Sequence, residues 1–272
     1  MSQLGDRMKA YEQIEAGRLF IPRLPIIVRV DGRSFGNFTR GMNKPFDQSF
    51  RRAMIDTTRI LVEKTNPRIA YTQSDEITLI YQANGPRSEV MFGGKVHKMT
   101  SVIASMASVG FMLAVKDHFP NWEYLQGKFP HFDCRCWNVP DQNEAVNNLV
   151  DREQDAVRNS ISMLARAHFS HSQLNKKTGS EKQEMLHKIG INWNDVDRHF
   201  KRGTYLQTRQ VKRKLTTKEI TKIPSAHRPD PDVLFTRTAI MEIDMPPITK
   251  VVNRIEVAFD KADPKVEELT HA

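Results

Sequence analysis

Leu24-Pro25-Ile26-Ile27-Val28-Arg29-Val30-Asp31-Gly32 is a short, β-branched run that ends on an acid and a glycine. Such a run reads as a buried strand, which leaves Asp31 at the strand's C-terminal edge. Downstream, Pro45 is placed to open a helix. Phe46, Phe50, Ala53, Thr57, Ile60 and Leu61 then recur at helical spacing as far as Lys64, and Asn66-Pro67 stops the pattern. Two further β-rich runs, Arg68 to Gln73 and Ile77 to Gln82, flank Ser74-Asp75-Glu76 and put two acids at a hairpin tip, with Asn84-Gly85-Pro86 ending the second run. From Lys95 to His118 a long helical pattern carries Met99, Val102, Ile103, Met106, Val109, Gly110 and Leu113 on one apolar face. His131 to Val139 reads as another strand and Glu144 to Phe169 as another helix.

The resulting order, β-α-β-β-α-β-α, predicts an α+β fold: a split βαβ, ferredoxin-like antiparallel sheet with helices on one face, on which polymerase palms are also built. A smaller basic C-terminal part follows. Within it Leu174 to Gly190 reads as polar loop and short helix, and Asn194 to Lys201 as a helix closed by Gly203. Thr204 to Leu215 reads as a strand rich in basic and amide residues, able to pair with Arg237 to Asp244. Pro224 to Pro231 is a loop, and Asp263-Pro264 opens a frayed tail.

Composition narrows the partners. The chain of 272 residues has 41 Lys and Arg against 32 Asp and Glu, a formal charge of +9 that draws polyanions through counterion release. Nucleic acid is the leading candidate, because the charge is concentrated: Lys201, Arg202, Arg209, Lys212, Arg213 and Lys214 crowd one segment, and Arg51, Arg52 and Arg59 share a predicted helix. Only Cys134 and Cys136 are cysteines, so no disulfide framework is expected and a reducing, cytoplasmic setting fits. The N-terminal stretch lacks an apolar signal core and no later run is expected to span a bilayer, which argues against a membrane partner.

Phosphoryl transfer on two metal ions needs carboxylates from separate elements converging on magnesium. Asp31 at a strand end and Asp75 and Glu76 on the neighbouring hairpin meet that demand, although each alone reads as an ordinary turn residue. The same segments, Val28-Arg29-Val30-Asp31-Gly32-Arg33-Ser34-Phe35, Asn43-Lys44-Pro45 and Ala70-Tyr71-Thr72-Gln73-Ser74-Asp75-Glu76, resemble the tRNA-His guanylyltransferase family in order and spacing. Gly190-Ile191-Asn192-Trp193-Asn194 and Lys201-Arg202-Gly203-Thr204 do so too.

The resemblance implies a palm-like catalytic core over residues 1–140, a helical and tRNA-contacting continuation over 141–215, and a C-terminal extension over 216–272. It implies that Asp31, Asp75 and the Gly32 carbonyl hold two Mg2+ ions, with Glu76 in the same cluster and Lys44 beside the reaction. Arg29, Arg33, Ser34, Phe35, Ser74, Lys95 and Lys98 would contact GTP or ATP, while Lys201, Arg202, Arg209, Lys212 and Arg213 would meet the tRNA. Lys95 and Lys98, three apart at a helix start, also suit phosphate by position. A homotetramer is implied as well. Where the family carries His-Ile-Asn-Asn-Leu-Tyr-Asn, this chain has Val157-Arg158-Asn159-Ser160-Ile161-Ser162-Met163. That exchange resembles the guanylyltransferase-like branch, which rebuilds 5′-truncated tRNAs in the 3′-to-5′ direction. The apolar members fit a buried helix face.

Other signals point elsewhere and are weaker. Cys134 and Cys136 share a strand face with Phe132, which suits core packing better than a metal. Phe92-Gly93-Gly94-Lys95 lacks the remaining residues of a phosphate loop, and His168 and His171 have no third ligand at metal spacing. The rival functions are another palm-type enzyme, such as a cyclase or a 5′-to-3′ polymerase, and a non-catalytic RNA-binding protein.

Overall fold

The strand ending on Asp31 occupies the middle of the molecule in the computed structural model, which describes residues 3–83, 85, 88–119, 127–230 and 232–267. The turn residues Asn84 and Pro86, Pro231 and the tail beyond 267 lie outside the described residues. In chain order the elements are α1 (Gln3–Ala16), β1 (Ile26–Gly32), α2 (Phe35–Phe38), α3 (Gln48–Thr65), β2 (Ile69–Gln73), β3 (Glu76–Tyr81), α4 (Val96–His118), β4 (Phe132–Asn138) and α5 (Gln142–Arg166). They continue with α6 (His171–Leu174), α7 (Gly179–Lys188), α8 (Arg198–Arg202), β5 (Thr204–Arg213), α9 (Thr217–Thr221), β6 (Phe235–Ile243) and α10 (Arg254–Asp260). The sheet order is β4-β1-β3-β2-β5-β6, and every neighbouring pair is antiparallel. The crossover through α3 leaves β3 between β1 and β2, so the split βαβ unit is present as expected.

Alternation along the strands sorts residues between two faces. Val28, Val30, Ile77, Leu79, Phe132, Cys134 and Leu206 are buried on the face covered by α3 and α4, together with Met54, Leu61, Ile103 and Phe111. Each such side chain contributes about 1.5–3 kcal/mol by leaving water. Cys134 and Cys136 lie 3.7 Å apart in this layer as free thiols, in agreement with core packing.

The opposite face differs from the one-sided arrangement expected. Ile69, Tyr71, Ile80, Tyr205 and Ile243 are covered there by Ala145, Val146 and Leu149 of α5 and by Val257, Ala258 and Phe259 of α10. The helix α5 can do this because its buried residues, from Ala145 through Leu149 and Ala156 to Leu164, repeat along a single stripe. Residues beyond 215 thus share both the sheet, through β6, and this second core.

Two helix boundaries show local chemistry overriding the sequence expectation. Pro45 does not open α3; Asp47 does, its carboxylate accepting from the Phe50 amide at 2.8 Å. The expected helix over Asn194 to Lys201 is split into a 3-10 turn, Trp193–Asp195, and the short α8, since Asp197 caps the latter by accepting from His199 N–H at 2.8 Å. A further correction concerns α4: its 23 residues are long and apolar enough to cross a bilayer. Here Met99, Ile103, Ala107 and Phe111 of that helix are instead buried in the first core.

Candidate active site

The acid edge is built by two turns that lock together. Gly32 N–H donates to the Asp75 carbonyl at 3.0 Å, tying the end of β1 to the β2–β3 hairpin. Only glycine fits at position 32, because a Cβ there would stand 2.5 Å from the Phe35 ring. Phe35 is itself held in a cluster with Phe38, Phe50, Phe111 and Phe132, at centroid separations of 5.3, 6.1, 5.4 and 4.9 Å. Ser34 and Ser74 both adopt left-handed backbone, φ 57° and 54°, a conformation non-glycine residues adopt at roughly 1–3 kcal/mol each. From there the Ser74 hydroxyl donates to Asp75 Oδ1 at 3.1 Å.

On the α5 face, cross-strand register places Asp31 opposite Glu76 on one side and Asp133 on the other. Three arginines answer this row of acids. Arg135 reaches Asp31 at 2.9 Å and Asp133 at 3.4 Å; Arg29 and Arg152 each lie 3.4 Å from Glu76. Arg29 is further fixed over the Trp137 ring at 5.7 Å. Burial is the main force raising the Asp75 and Glu76 carboxyls above the ordinary range; Ser74 opposes it for Asp75 and the two arginines oppose it for Glu76, while Asp31 adds to it for both. Glu76 Oε1 and Arg29 Nε are buried without a hydrogen bond.

This donor set suits a hard cation. Asp31, Asp75 and the Gly32 carbonyl offer oxygen ligands, and the raised Asp75 carboxyl is the kind of under-compensated charge that a divalent ion relieves. Among the described residues no group of three His, Cys, Asp or Glu side chains converges on one point.

Beside the hairpin lies an open cleft, lined among others by Asn43, Lys44, Ser74, Met163, His199 and Phe200. Its rim interleaves rings and cations: Phe46 stacks on Phe200 at 4.7 Å, Arg51 sits 5.8 Å from the Phe200 centroid, and Lys201 sits 5.4 Å from that of Trp193. His199 is 3% exposed and its Nδ1 lies 2.8 Å from the Thr204 hydroxyl. Burial, then the nearby Arg51, pushes its pKa down to about 3, so the ring is neutral. Gly203 carries the chain from α8 into β5 with φ 76°, where a Cβ would meet the Tyr71 ring at 2.6 Å.

The structure therefore gathers Asp31, Gly32, Ser34, Phe35, Lys44, Ser74, Asp75, Glu76, Lys201 and Arg202 around one sheet edge and its cleft. Thr204 pairs with Thr72, which fixes Lys201 and Arg202 at this end. Arg33 is turned toward His131, whose carbonyl accepts its amide at 2.9 Å. Lys95 and Lys98 are not part of the gathering. Lys95 bridges Leu19, and Ile21 is held by Asn138 opposite Ile26, so both lysines lie at the start of β1, about 17 Å of strand from Asp31. The other basic residues are also separated from the cleft. Arg209 pairs with Asp263 at 2.5 Å, Arg213 is forked onto Glu219 at 2.7 and 2.8 Å, and exposed Lys212 stands near the far end of a strand about 30 Å long.

The helix exchange also reads differently in three dimensions. Ile161 is buried as expected, but Met163 is 38% exposed and faces the cleft, while Ser160 accepts from Trp193 Nε1 at 3.0 Å. Arg135, Arg152 and His199 were not singled out by sequence, and Met163 was read there only as a member of a buried helix face. The only signal for the arginines was their position two residues after Asp133 and one before Glu153, which means nothing until register is known.

Comparison with known proteins agrees with this geometry. The family model described as tRNAHis guanylyltransferase matches residues 5–140. An uncharacterized protein of Acanthamoeba polyphaga mimivirus is 29% identical over 77% of this chain and 78% of its own length. The tRNA(His) guanylyltransferase of Debaryomyces hansenii is 26% identical over 74% and 79%. Among solved structures, a bacterial tRNA(His) guanylyltransferase-like protein in complex with ATP superposes with a TM-score of 0.76 at 30% identity, covering 94% of this chain and 99% of that one. The corresponding complex with GTP gives 0.68 at 29% identity over 92% and 95%. With its two acidic motifs, its palm-like sheet and these relatives, the chain belongs to the tRNA(His) guanylyltransferase family.

Proposed function

We propose that this nucleotidyltransferase adds nucleotides, one at a time and in the 3′-to-5′ direction, to the 5′ end of a tRNA, using GTP and ATP as substrates. The observation that carries the reading is the locked pair of turns, which sets Asp31, the Gly32 carbonyl and Asp75 at one sheet edge beside a cleft bearing Lys44 and Ser74. Those three oxygen donors would hold two magnesium ions, and Glu76 would complete the acidic row. Bound there, magnesium would acidify a hydroxyl nucleophile and neutralise a departing phosphate. The incoming nucleotide's 3′-hydroxyl attacks the activated 5′ phosphorus of the tRNA. A P–O bond forms, the bond to pyrophosphate or AMP breaks, and the hydroxyl proton passes to solvent.

The chain's own groups position and neutralise. Lys44 and Ser74 line the cleft beside the acids, where an ammonium and a hydroxyl meet phosphate oxygens. Lys201 and Arg202 at the same end contact the tRNA backbone, while Arg29, fixed between Glu76 and Trp137, holds the acidic row in place. Met163 gives the cleft an apolar wall where the family motif would be polar, which favours repair of truncated 5′ ends over activation of a 5′ monophosphate.

Assembly as a homo-oligomer is part of the proposal. The outer row of α4 runs Ser101, Ser105, Val109, Leu113, with Val109 and Leu113 61% and 58% exposed. A second copy laid antiparallel sets the large residues against the small ones, and light scattering of Leu113→Glu is expected to show dissociation.

The deciding experiment incubates the protein with magnesium, labelled GTP and two tRNAs: full-length tRNA-His lacking its extra guanosine, and another tRNA missing its first nucleotide. Each carries a monophosphate or a triphosphate end. Template-matched labelling of the truncated tRNA is expected. Labelling confined to tRNA-His overturns the repair reading, and labelling of neither overturns the activity.

A further inference from the structure

We infer that Arg135 is a movable counter-cation of the acid edge, which neutralises Asp31 until a metal–nucleotide complex arrives and then passes to the nucleotide's triphosphate, with Asp133 keeping it moored. The inference rests on the reading of Asp31 and Asp75 as a cation site.

Its basis is a charge pattern that cross-strand pairing alone makes unfavourable. On one face of the sheet, Asp31 stands directly opposite Asp133, and one pleat further along Arg29 stands directly opposite Arg135. Like charges in such positions destabilise a sheet. The conflict is resolved across the register, because Arg135 binds Asp31 at 2.9 Å and its own strand neighbour Asp133 at 3.4 Å, while Arg29 turns away to Glu76. The two arginines are held very differently. The Arg29 side chain is 18% exposed and lies over Trp137, whereas that of Arg135 is 56% exposed on β4, at the edge of the sheet. Arg29 is walled in by its neighbours, whereas Arg135 has solvent around it and only its two carboxylate contacts to hold it.

A guanidinium and a divalent ion on the same Asp31 carboxylate repel, so strengthening one contact weakens the other. The displaced guanidinium need not travel far. Asp133 remains its partner, and because the guanidinium already touches Asp31, a nucleotide bound through a metal on that carboxylate would offer phosphate oxygens that its fork matches. Arg135 thereby couples the two ligands: it competes with metal alone and assists metal bearing a nucleotide, and linkage makes the coupling reciprocal. Asp133 is a positioning residue in this scheme.

The test measures binding without turnover. Mn2+ would be titrated by electron paramagnetic resonance into the wild type, Arg135→Gln, Arg135→Lys and Asp75→Asn, with and without GTP. In Arg135→Gln, Mn2+ alone is expected to bind roughly two- to fivefold more tightly, the scale of one exposed ion pair. The same variant is expected to bind Mn2+ with GTP about tenfold more weakly, the scale of a charge-assisted contact. Arg135→Lys, which keeps the charge, should stay close to the wild type for metal alone. Equal or weaker Mn2+ binding by Arg135→Gln overturns the role of Arg135. Wild-type binding that Asp75→Asn does not diminish overturns the cation site itself, so the two failures are distinguishable.

Discussion

The two faces of the central sheet are both covered by long helices, yet one is apolar along its length, while the other is an apolar core at one end and a charged network at the other. Against α3 and α4, the strands present Val28, Val30, Ile77 and Leu79. Against α5, the alternate residues of the same strands include Arg29, Asp31, Glu76 and Thr78, with Arg152 and Glu153 reaching down from the helix. On this second face the Tyr71 and Thr78 hydroxyls, Glu76 Oε1 and Arg29 Nε are buried without hydrogen bonds. Buried groups left in that condition lower stability, although Arg29 Nε and Glu76 Oε1 still face each other as an ion pair at 3.4 Å, so the charged end of the second face gives up some folding energy to hold acids at the sheet edge.

The largest expected effect tests this division directly. Asp75→Asn should lower transfer by at least about a thousandfold, the scale of losing an electrostatic element of a reaction centre. It should nonetheless raise the melting temperature, because burial opposes the charged form of this carboxyl and the amide carries no charge. The sign follows from linkage: with its pKa raised in the fold, Asp75 disfavours folding above that pKa, and the penalty is relieved as pH falls toward the ordinary carboxylate value. Differential scanning fluorimetry checks it; a variant that is both inactive and less stable would break the comparison.

On the apolar face the opposite pairing of effects is expected. Phe111, fully buried and in contact with Phe35, Phe38, Phe50 and Phe132, should lose about 3–5 kcal/mol of stability as Phe111→Ala in urea titration. On the charged face Glu153→Gln should lose about 1–3 kcal/mol. That carboxylate accepts from the Tyr205 hydroxyl at 2.8 Å and from Ile248 N–H at 2.9 Å, which joins α5 to β5 and to the turn after β6. Limited proteolysis should then open the segment around Ile248 before the rest.

The asymmetry also explains how far sequence could be read. Local pattern sufficed for β1, the hairpin and α4, because β-branched runs and helical spacing record which residues leave water. The acids were legible for a related reason: a strand that ends on Asp31 and a turn that contains Asp75 place themselves. Lys95 and Lys98 were placed by their helix start, which suits phosphate wherever it is, and only the register shows that this start lies at the other end of β1 from Asp31. Arg209 and Arg213 look like a nucleic-acid stripe in sequence, yet their partners Asp263 and Glu219 lie 54 and 6 residues away, and such distances leave no trace in composition. Likewise α5 reads as an amphipathic helix from its own residues, but nothing in them says that it covers the second face.

His199 lies where the charged network meets the cleft, and its effect should be the smallest. Its ring is neutral because burial and Arg51 oppose its protonation, with a pKa pushed down to about 3, whereas an unfolded chain takes up that proton near 6.5. Between those values the unfolded state binds more protons, so stability falls as pH falls, by up to about 1.4 kcal/mol per unit. His199→Gln can keep a contact to Thr204 and cannot titrate. Urea titrations of both proteins at pH 7.5 and 5.5 isolate the difference from the carboxylates they share. The wild type is expected to lose about 1 kcal/mol more than the variant over that interval. Equal losses would mean that the imidazole takes up its proton inside the fold, so that the cleft wall at His199 is open to water and the ring belongs with the charged network.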